Sequence, residues 1–235
     1  MLNERKILVT GSSSGIGQAI TSQLLKAEVN VIGIARNHEK FQPKTSKYST
    51  FNLDVSDIKS LSKNFSQILD IHPDITGIIH SVGYGLFGGL ESFSPKQIME
   101  FINTNLTSSM IMTRLVLPIL KNHNSGDIIF IGSEAAIDGS KKGSLYSAAK
   151  FGLRGFSQAI RKESSHRNIR VCLINPGMVR TPFFNELNFS PGDDDSNAIH
   201  PNDVAELVQS ILSSRKGTVF DEINLSPLRK VIKST

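Results

Sequence analysis

The sequence has few of the residues that would cross-link the chain or carry it across a membrane. It contains a single cysteine, Cys172, so no disulfide can form within the chain, as is typical of proteins in a reducing compartment. The N-terminus has no apolar stretch long enough for a signal peptide, and no segment approaches the roughly 18 apolar residues of a membrane span. We therefore expect a cytoplasmic protein without membrane contact, in which Cys172, within the apolar run IRVCLIN, is a small buried side chain.

Clusters of positive charge are also missing. Lys and Arg number 26 against 21 Asp and Glu, but the basic residues are scattered and the densest runs are pairs such as Lys141 and Lys142. This distribution is typical of solvated surface and argues against a nucleic-acid partner, although a basic balance suits a phosphorylated small ligand. The hydrophobic share of 39% and the length of 235 residues suit one globular domain, 1–235, without linker or repeat.

Short runs rich in β-branched residues alternate with longer amphipathic segments. The short runs predict strands, the first six buried on both faces, at 6–10, 29–35, 49–54, 75–83, 126–133, 169–177 and 217–225. The amphipathic segments predict helices at 15–27, 58–69, 95–121, 145–167 and 201–214. This alternation indicates an α/β fold, a doubly wound (Rossmann) domain with a parallel sheet of about seven strands. The stretch 182–200 lacks a sustained period, which predicts a loop or loose helix serving as a substrate lid, and only a short basic tail follows the last strand.

A glycine-rich turn, TGSSSGIG at 10–17, follows the first predicted strand and opens the first predicted helix. Glycines permit tight backbone geometry, and a helix N-terminus offers free N–H groups and a partial positive charge to phosphates. The spacing is G-x-x-x-G-x-G rather than the commoner G-x-G-x-x-G. The turn therefore predicts a phosphate site, although the glycines could serve the turn alone; its residues would be Gly11, Ser13, Ser14, Gly15, Ile16 and Gly17.

The same turn also fits a second pattern, because 11–15 reads G-x-S-x-G with Ser13 at its centre, as in the nucleophile elbow of serine hydrolases. A hydrolase would need a downstream acid and then a histidine, for which His166 and His200 are the candidates. Neither lies in a persuasive loop, and this elbow would follow the first strand instead of several strands. A hydrolase using Ser13 is therefore a minor alternative.

The end of the second predicted strand bears on the choice of dinucleotide. An acidic residue there would bind the adenosine ribose and repel a 2′-phosphate, but this chain has Ala35 followed by Arg36. Because a guanidinium pairs well with phosphate, this pair favours NADP(H) over NAD(H), unless Arg36 is only a surface residue. Asp54, which ends the third predicted strand, would accept a hydrogen bond from the adenine amino group or cap the helix that begins near Ser56.

Tyr146 and Lys150 form a Y-x-x-x-K pair on a predicted helix. An i, i+4 spacing places both side chains on one face, so a phenol lies beside an ammonium. A free tyrosine titrates near pH 10, and a nearby positive charge lowers that pKa, which would make Tyr146 a usable acid and base. Ser133 ends a predicted strand, where ligands bind in doubly wound folds, and its hydroxyl could hold a carbonyl oxygen.

Together these residues resemble the short-chain dehydrogenases/reductases, and the resemblance covers nearly the whole chain. TGSSSGIG looks like the family's cofactor turn, and HSVG at 80–83 is similar to its N-N-A-G segment. Ser133, Tyr146 and Lys150 match its catalytic serine, tyrosine and lysine, and the asparagine of INTNL completes the tetrad as Asn105. NPGMVRT at 175–181 looks like the segment that closes over the nicotinamide. The resemblance implies that the cofactor contacts include Asp54, Val55, His80, Ser81, Gly83, Tyr146, Lys150, Pro176, Gly177, Val179 and Thr181.

The resemblance also implies a role for each reacting side chain. Tyr146 would protonate the substrate oxygen as the hydride arrives, and Ser133 would orient that oxygen. Lys150 would lower the pKa of the tyrosine and bind the nicotinamide ribose, and Asn105 would hold a water that relays protons. The sequence departs from the family at 80–82, where His-Ser-Val replaces Asn-Asn-Ala. Its end is more similar to the serine or 3-hydroxy acid dehydrogenase and sepiapterin reductase branches.

The residues expected around the substrate are mostly apolar and aromatic: Tyr84, Leu86, Phe87, Ala135, Ile137, Met178, Phe183 and Phe184. They favour a hydrophobic or aromatic carbonyl compound, although several phenylalanines could instead form the core of the lid. Family members usually pair through two long helices, here 95–121 and 145–167, which implies a homodimer or homotetramer. We thus predict a metal-free NADP(H)-dependent oxidoreductase that moves a hydride between nicotinamide and a carbonyl or alcohol. The alternative is a catalytically silent NADP(H)-binding sensor or scaffold.

Overall fold

The computed structural model describes residues 2–234 and contains nine strands within them. They are β1 (Lys6–Thr10), β2 (Asn30–Ala35), β3 (Tyr48–Asn52), β4 (Gly77–His80), β5 (Gly126–Ile131), β6 (Ile169–Pro176), β7 (Phe189–Pro191), β8 (Glu222–Leu225) and β9 (Ile232–Ser234). Seven of them form one sheet in the order β3-β2-β1-β4-β5-β6-β8, and every pairing in it is parallel. The predicted doubly wound α/β fold is therefore confirmed.

Helices connect the strands, and the order in which the chain adds strands to the sheet reverses once. The α-helices are α1 (Gly15–Lys26), α2 (Ile58–Ile71), α3 (Pro95–Ile102), α4 (Ser108–Asn122), α5 (Ser144–Ser164) and α6 (Pro201–Ser213). The chain runs outward from β1 to β3 and then returns to place β4 on the other side of β1. In such sheets ligands bind beyond the carboxyl ends of the strands at this switch point. Within residues 2–234, none of the helices combines the length and apolar character needed to cross a bilayer.

The core forms two layers because successive strand residues point to opposite faces of the sheet. Leu8 packs in the layer beneath α2, α4 and α5, whereas its neighbours Ile7 and Val9 pack in the layer beneath α1 and α6. Cys172 lies in the second layer at 2% exposure, as predicted. Burial raises the pKa of its thiol to about 12, so this cysteine is a core side chain and not a reactive thiol.

Three predicted strands differ from the structure. The predicted strand 75–83 is a strand only at Gly77–His80, β4. β3 lies at the edge of the sheet with three of its five residues exposed, so the prediction that it is buried on both faces is wrong. The predicted strand 217–225 is extended only in its second half, β8, because Thr218 N bonds to Arg215 O in a turn. β3 and β8 are the two edge strands and are partly exposed, which a run of β-branched residues does not reveal.

The predicted helix 95–121 is interrupted. A π-helical turn, Asn103–Thr107, separates α3 from α4, and Ser108 N bonds across it to Asn103 O. Within the turn, Asn105 Nδ2 donates to Phe101 O at 3.1 Å. Such turns occur frequently at functional sites. The turn leaves the Asn105 side chain buried, at 1% exposure, next to the loop that follows β4.

The segment 182–200 has more regular structure than a loop or loose helix. It contains β7 between two 3₁₀ turns, Pro182–Phe184 and Asp195–Asn197. β7 pairs antiparallel with β9 in the C-terminal tail, for which the sequence predicted no strand. Gly192 N also donates to Val231 O, and Arg229 N donates to Ser196 O, each at 3.0 Å. The tail is thus hydrogen-bonded to this segment along its length.

Two arginines meet one buried aspartate at the amino end of the sheet. Asp127 Oδ2 lies 2.6 Å from Arg5 Nη2, and Asp127 Oδ1 lies 2.7 Å from Arg170 Nε, while the exposure of the Asp127 side chain is only 7%. Both arginines also donate to Leu212 O, and Arg170 donates to Ser214 O. The cluster therefore ties β1, β5 and β6 to the end of α6. It lies at the amino ends of the strands, opposite the carboxyl ends where ligands bind.

Candidate active site

The glycine-rich turn lies at the carboxyl end of β1, and α1 begins inside it at Gly15. Gly11 and Gly15 have φ values of +70° and +53°, which side chains other than glycine rarely adopt. A Cβ on Gly17 would lie 2.2 Å from Gly11 O, so the third glycine allows two backbone segments to touch. The turn needs glycine at all three positions for its own geometry.

The turn is bordered by two other predicted cofactor segments. A Cβ on Gly11 would lie 3.0 Å from Ser81 O, and one on Gly15 would lie 3.4 Å from Thr181 Cβ. Thr10 Oγ1 accepts from Ser81 N at 3.0 Å. The Ser14 side chain makes no capping bond to α1, so the first N–H groups of that helix are not satisfied by it. The structure thus brings the glycine turn, the end of β4 and the segment after β6 together.

Tyr146, Lys150 and Ser133 also come together at this edge of the sheet. Tyr146 and Lys150 lie one turn apart on α5, and Lys150 Nζ is 5.6 Å from the centroid of the Tyr146 ring. Ser133 follows β5, and its hydroxyl is near enough to the Tyr146 side chain to lower the pKa of the phenol in part. Lys150 Nζ donates to Ile131 O at 3.0 Å, which fixes the ammonium against the end of β5.

Burial controls the titration of this pair. It raises the pKa of Tyr146 to about 12; the hydrogen bond from Ser133 lowers it in part, and the charge of Glu134 raises it further. Burial also lowers the pKa of Lys150 to about 8. The predicted net lowering of the Tyr146 pKa is therefore wrong for this structure, because desolvation of the phenolate is the largest cause of the shift, whereas a lowering contribution from Lys150 stays a prediction. At neutral pH the phenol carries its proton and can donate it.

Asn105 lies near Lys150, next to the loop that follows β4. Its Oδ1 accepts from Tyr84 N at 3.1 Å, and a Cβ on Gly83 would lie 2.9 Å from Oδ1 and 3.8 Å from Lys150 Nζ. Gly83 is therefore required for the close packing of this loop. Because both amide atoms of Asn105 are engaged, with Tyr84 N and Phe101 O, the side chain holds the loop after β4 against α3.

A support for Ser133 was missed by the sequence analysis. Ser133 N donates to the buried Asn175 Oδ1 at 3.3 Å. Asn175 Nδ2 in turn donates to Glu222 Oε1 at 2.8 Å and to Asn224 Oδ1 at 3.0 Å, both on β8. A Cβ on Gly132 would lie 2.2 Å from Asn175 Oδ1. The position of the serine thus depends on β6 and β8, and no local pattern could have revealed it.

An aromatic cluster surrounds the Tyr146 ring. Ring centroids lie 5.3 Å apart between Tyr146 and Phe87 and 5.9 Å apart between Tyr146 and Phe183. Phe184 contacts Phe183 at 5.1 Å, and Phe189 of β7 contacts both Phe184 and Phe87. Phe189 was not predicted, because the sequence analysis gave 189–191 no regular structure. Of the other predicted pocket residues, Tyr84 and Ile137 are exposed, Leu86 is half-buried, and Ala135 and Met178 are buried.

Some predicted cofactor residues have side chains elsewhere. His80 is buried in the core, where its ring stacks on Phe130 at 4.8 Å and its Nε2 bonds to Thr113 Oγ1, so only its backbone can reach a ligand. Burial lowers its pKa to about 3. Asp54 does not cap α2, as one prediction had it, because the cap is Asp57, whose side chain accepts from Ser60 N.

The remaining residues predicted to contact the cofactor lie at or just after the carboxyl ends of β2, β3 and β6. Val55 and Pro176 are buried, Gly177 is half-buried, and Val179 bridges to Ile199 at the far end of 182–200. Thr181 Oγ1 accepts from Phe183 N at 3.4 Å. Arg36 is exposed and makes no hydrogen bond or ion pair with residues 2–234.

A polar network beside the glycine turn was also missed. It joins Ser12, His38, Tyr48 and Asn52, which come from the ends of three neighbouring strands. Of these stretches, the sequence predicted a ligand-binding role only for the glycine turn. A histidine three residues beyond a buried strand was the only local signal.

The fold and the turn define a doubly wound α/β protein of the class that binds dinucleotides. The family model of the short chain dehydrogenases matches residues 5–191. The chain is 33% identical over 246 residues to the NADP-dependent 3-hydroxy acid dehydrogenase of Schizosaccharomyces pombe, with 96% of this chain and 93% of the relative covered. It is 27% identical to the sepiapterin reductase of Chlorobaculum tepidum, with 94% and 95% covered. This chain belongs to the short-chain dehydrogenase family, as predicted.

Solved structures with similar folds support the same conclusion. A metagenomic short-chain oxidoreductase in complex with NADP superposes with a TM-score of 0.83 at 25% identity, covering 97% of this chain and 99% of the other. The serine dehydrogenase of Escherichia coli superposes with a TM-score of 0.80 at 25% identity, covering 94% and 96%. The prediction of an oxidoreductase of this family is confirmed.

Proposed function

We propose that the protein transfers a hydride between NADP(H) and a carbonyl or alcohol substrate, with Tyr146 as the general acid and base. The observation that carries this proposal is the grouping of Tyr146, Ser133 and Lys150 at the carboxyl ends of the strands, where the glycine turn also lies. A protonated phenol next to a second hydroxyl is suited to hold and protonate one substrate oxygen. The NADP-dependent relative from S. pombe and the NADP-bound metagenomic structure support the choice of cofactor.

The residues at the glycine turn fit a dinucleotide. The uncapped N-terminus of α1 offers N–H groups to the pyrophosphate, and Gly11 and Gly17 allow the turn to pack closely enough to present them. Ser81 Oγ is buried and has no partner within residues 2–234, so a ligand group here would satisfy it. Thr181, beside Gly15, would hold the nicotinamide end.

The chain's own residues then move the proton. When bound, NADP(H) supplies or accepts the hydride. During reduction Tyr146 donates its proton to the substrate oxygen, and Ser133 donates a hydrogen bond to the same oxygen. The Lys150 ammonium, held by Ile131 O, stabilises the phenolate that remains. Oxidation uses the same groups in reverse, with the phenolate accepting the proton. A water held near Asn105 stays a prediction.

Substitution of Gly17 by alanine should weaken NADPH binding by about 10- to 100-fold, which corresponds to overpacking of about 1–3 kcal/mol. The new methyl group would lie 2.2 Å from Gly11 O, so the backbone of the turn must shift. Fluorescence titration with NADPH measures the effect. Gly155→Ala is the matched control, because nothing lies within 4 Å of a Cβ there, and it should leave affinity unchanged. Equal affinities of Gly17→Ala and the unaltered protein would contradict this placement of the cofactor.

Substitution of Arg36 by alanine should reduce NADPH affinity by about 10- to 100-fold, the loss expected for a charge-assisted hydrogen bond of about 1.5–3 kcal/mol. NADH affinity should not change, because NADH has no 2′-phosphate. Arg36 has no competing partner within residues 2–234, so its guanidinium is free to bind one. Lys162→Ala removes an exposed positive charge on α5 and serves as the control. An unchanged ratio of the two affinities would show that Arg36 is only a surface residue.

The aromatic cluster supports a hydrophobic or aromatic carbonyl compound as the substrate. Phe87 and Phe183 contact the Tyr146 ring, and Phe184 and Phe189 extend the cluster. Apart from Phe87, these phenylalanines come from the segment 182–200. A flat apolar group would replace these ring contacts at little cost in desolvation. We propose that 182–200 is a lid, which must move to admit such a substrate.

The hydrolase alternative finds no support in the site. Ser13 forms no hydrogen bond with a histidine within residues 2–234, and His200 Nε2 is instead bound to Asp195 Oδ1 at 2.6 Å. Ser12 does contact a histidine, but it is fully buried and has no access to an ester. A nucleophile elbow would need its serine exposed at the top of the sheet.

We propose a homodimer or homotetramer as the assembled form. A surface groove of about 700 Å³ between α4 and α5 supports this proposal, because both helices present apolar side chains there. Its lining includes Met110, Leu117, Phe156 and Ile160. A small-molecule substrate and no nucleic acid are the expected partners. A cytoplasmic location and a single domain 1–235 stay predictions.

A further inference from the structure

A buried polar network lies on the β2–β3 side of the glycine turn. His38 Nε2 is 3.1 Å from Ser12 Oγ, and His38 Nδ1 is 3.1 Å from Asn52 Oδ1. The Tyr48 hydroxyl donates to Ser12 Oγ at 3.3 Å. Ser12 is fully buried and His38 is 6% exposed, so leaving either without a partner would be costly. None of the roles assigned above uses this network.

The hydrogen bonds of the network have one consistent direction. Asn52 Oδ1 can only accept, so His38 Nδ1 is the donor. In the neutral imidazole the other nitrogen, Nε2, accepts from the Ser12 hydroxyl, whose oxygen accepts from Tyr48. Both ring nitrogens and both hydroxyls are therefore engaged, and a fully satisfied network of this kind is rigid.

The sheet makes room for this network at Gly33. A Cβ on Gly33 would lie 2.4 Å from the Tyr48 hydroxyl and 2.7 Å from Ser12 Oγ. The two hydroxyls thus occupy the space that any larger side chain on β2 would fill. The contact between Ser12 and its partners therefore depends on glycine at position 33 of β2 as well as on the glycine turn.

His38 connects two parts of the proposed cofactor site. Ser12 belongs to the glycine turn, and His38 follows Arg36 by two residues. Arg36 itself is exposed and makes no hydrogen bond or ion pair with residues 2–234. Ser12 and Asn52 thus hold the residue two positions beyond Arg36, on the loop that follows β2.

We infer that His38 is a positioning residue for NADP(H) selectivity: its imidazole, bridged between Ser12 and Asn52, places Arg36 to bind the 2′-phosphate of the adenosine ribose. The inference rests on the proposed function, because it assumes a cofactor with that phosphate. His38 does not touch the phosphate, and it acts through Arg36.

The test is a double-mutant cycle with His38→Ala and Arg36→Ala, read out as dissociation constants for NADPH and NADH. His38→Ala alone should weaken NADPH binding by about tenfold, in the range seen for residues that act through another residue. NADH binding should change by less than about twofold. In the Arg36→Ala background, His38→Ala should cause no further loss of NADPH affinity, because the group that it positions is gone. His166→Ala, at an exposed histidine in the turn that follows α5, is the matched control.

A second variant, Asn52→Ala, tests the inference even if His38→Ala does not fold. Asn52 is exposed, so Asn52→Ala removes the acceptor of His38 Nδ1 without opening the core, and it should shift the NADPH-to-NADH ratio in the same direction. Equal losses for both cofactors, or losses that add to that of Arg36→Ala, would overturn the inference and leave His38 with a purely structural role. An unaltered protein that binds NADPH no better than NADH would instead contradict the proposed cofactor preference, before any variant is compared.

Discussion

Replacement of Tyr146 by phenylalanine should lower kcat by about 10²- to 10⁴-fold, the contribution of a positioned general acid and base. NADPH affinity should stay near that of the unaltered protein, because the lost hydroxyl lies near Ser133 and its proposed role is toward the substrate oxygen, not toward the glycine turn. The phenylalanine ring keeps the contacts with Phe87 and Phe183, so the aromatic cluster should survive. Steady-state reduction of a panel of apolar aldehydes and ketones, together with NADPH titration, measures both quantities.

Ser144→Ala is the matched control, since it removes an exposed hydroxyl two residues earlier on the same helix. It should change neither kcat nor affinity. If Tyr146→Phe kept full turnover, the proton would have another source and the proposed mechanism would be wrong. If the unaltered protein bound NADPH but turned over no carbonyl or alcohol, the sensor or scaffold alternative would be favoured.

Replacement of Asp127 by asparagine should lower the free energy of unfolding by about 3–5 kcal/mol, the cost of leaving buried charges without their partner. The variant keeps the shape of the side chain but leaves Arg5 and Arg170 at 15% and 10% exposure facing a neutral amide. Urea denaturation followed by far-UV circular dichroism measures the change. The effect should come without a change in NADPH affinity, because the cluster lies at the opposite edge of the sheet.

Asp74→Asn provides the comparison, because it breaks an ion pair with Lys6 in which the aspartate side chain is 62% exposed. Exposed pairs contribute about 0–1 kcal/mol, so this variant should be nearly as stable as the unaltered protein. Equal losses from the two substitutions would mean that burial does not decide the strength of the Asp127 cluster.

The parallel core of the sheet could be predicted from the sequence because strands buried on both faces leave uninterrupted apolar runs. β1, β5 and β6 end within two residues of their predicted bounds. The short strands and the π turn outside this sheet core leave no such apolar run in the sequence. β7 and β9 are three-residue strands whose apolar content is unremarkable, and each exists because the other lies beside it. The π turn at Asn103–Thr107 likewise inserts into a pattern that reads as one continuous helix.

The candidate site divides in the same way. Tyr146 and Lys150 are four residues apart on one helix, so their proximity is a local property that spacing reveals. The contact of Ser133 with Asn175 spans 42 residues, and that of Ser12 with His38 spans 26, so both depend on which strands are neighbours. The direction of the pKa shift of Tyr146 was mispredicted because spacing reports the nearby charge but not the loss of water around the phenol.

The pairing of β7 with β9 has a consequence for how the protein opens. Two stretches that lie on either side of α6 in the sequence share backbone hydrogen bonds, so neither can detach without breaking those of the other. Their local unfolding therefore forms one cooperative event with a single free energy. A substrate that displaces Phe189 from Phe87 would also break hydrogen bonds between β7 and β9. The amide protons of both strands would then exchange at a common rate.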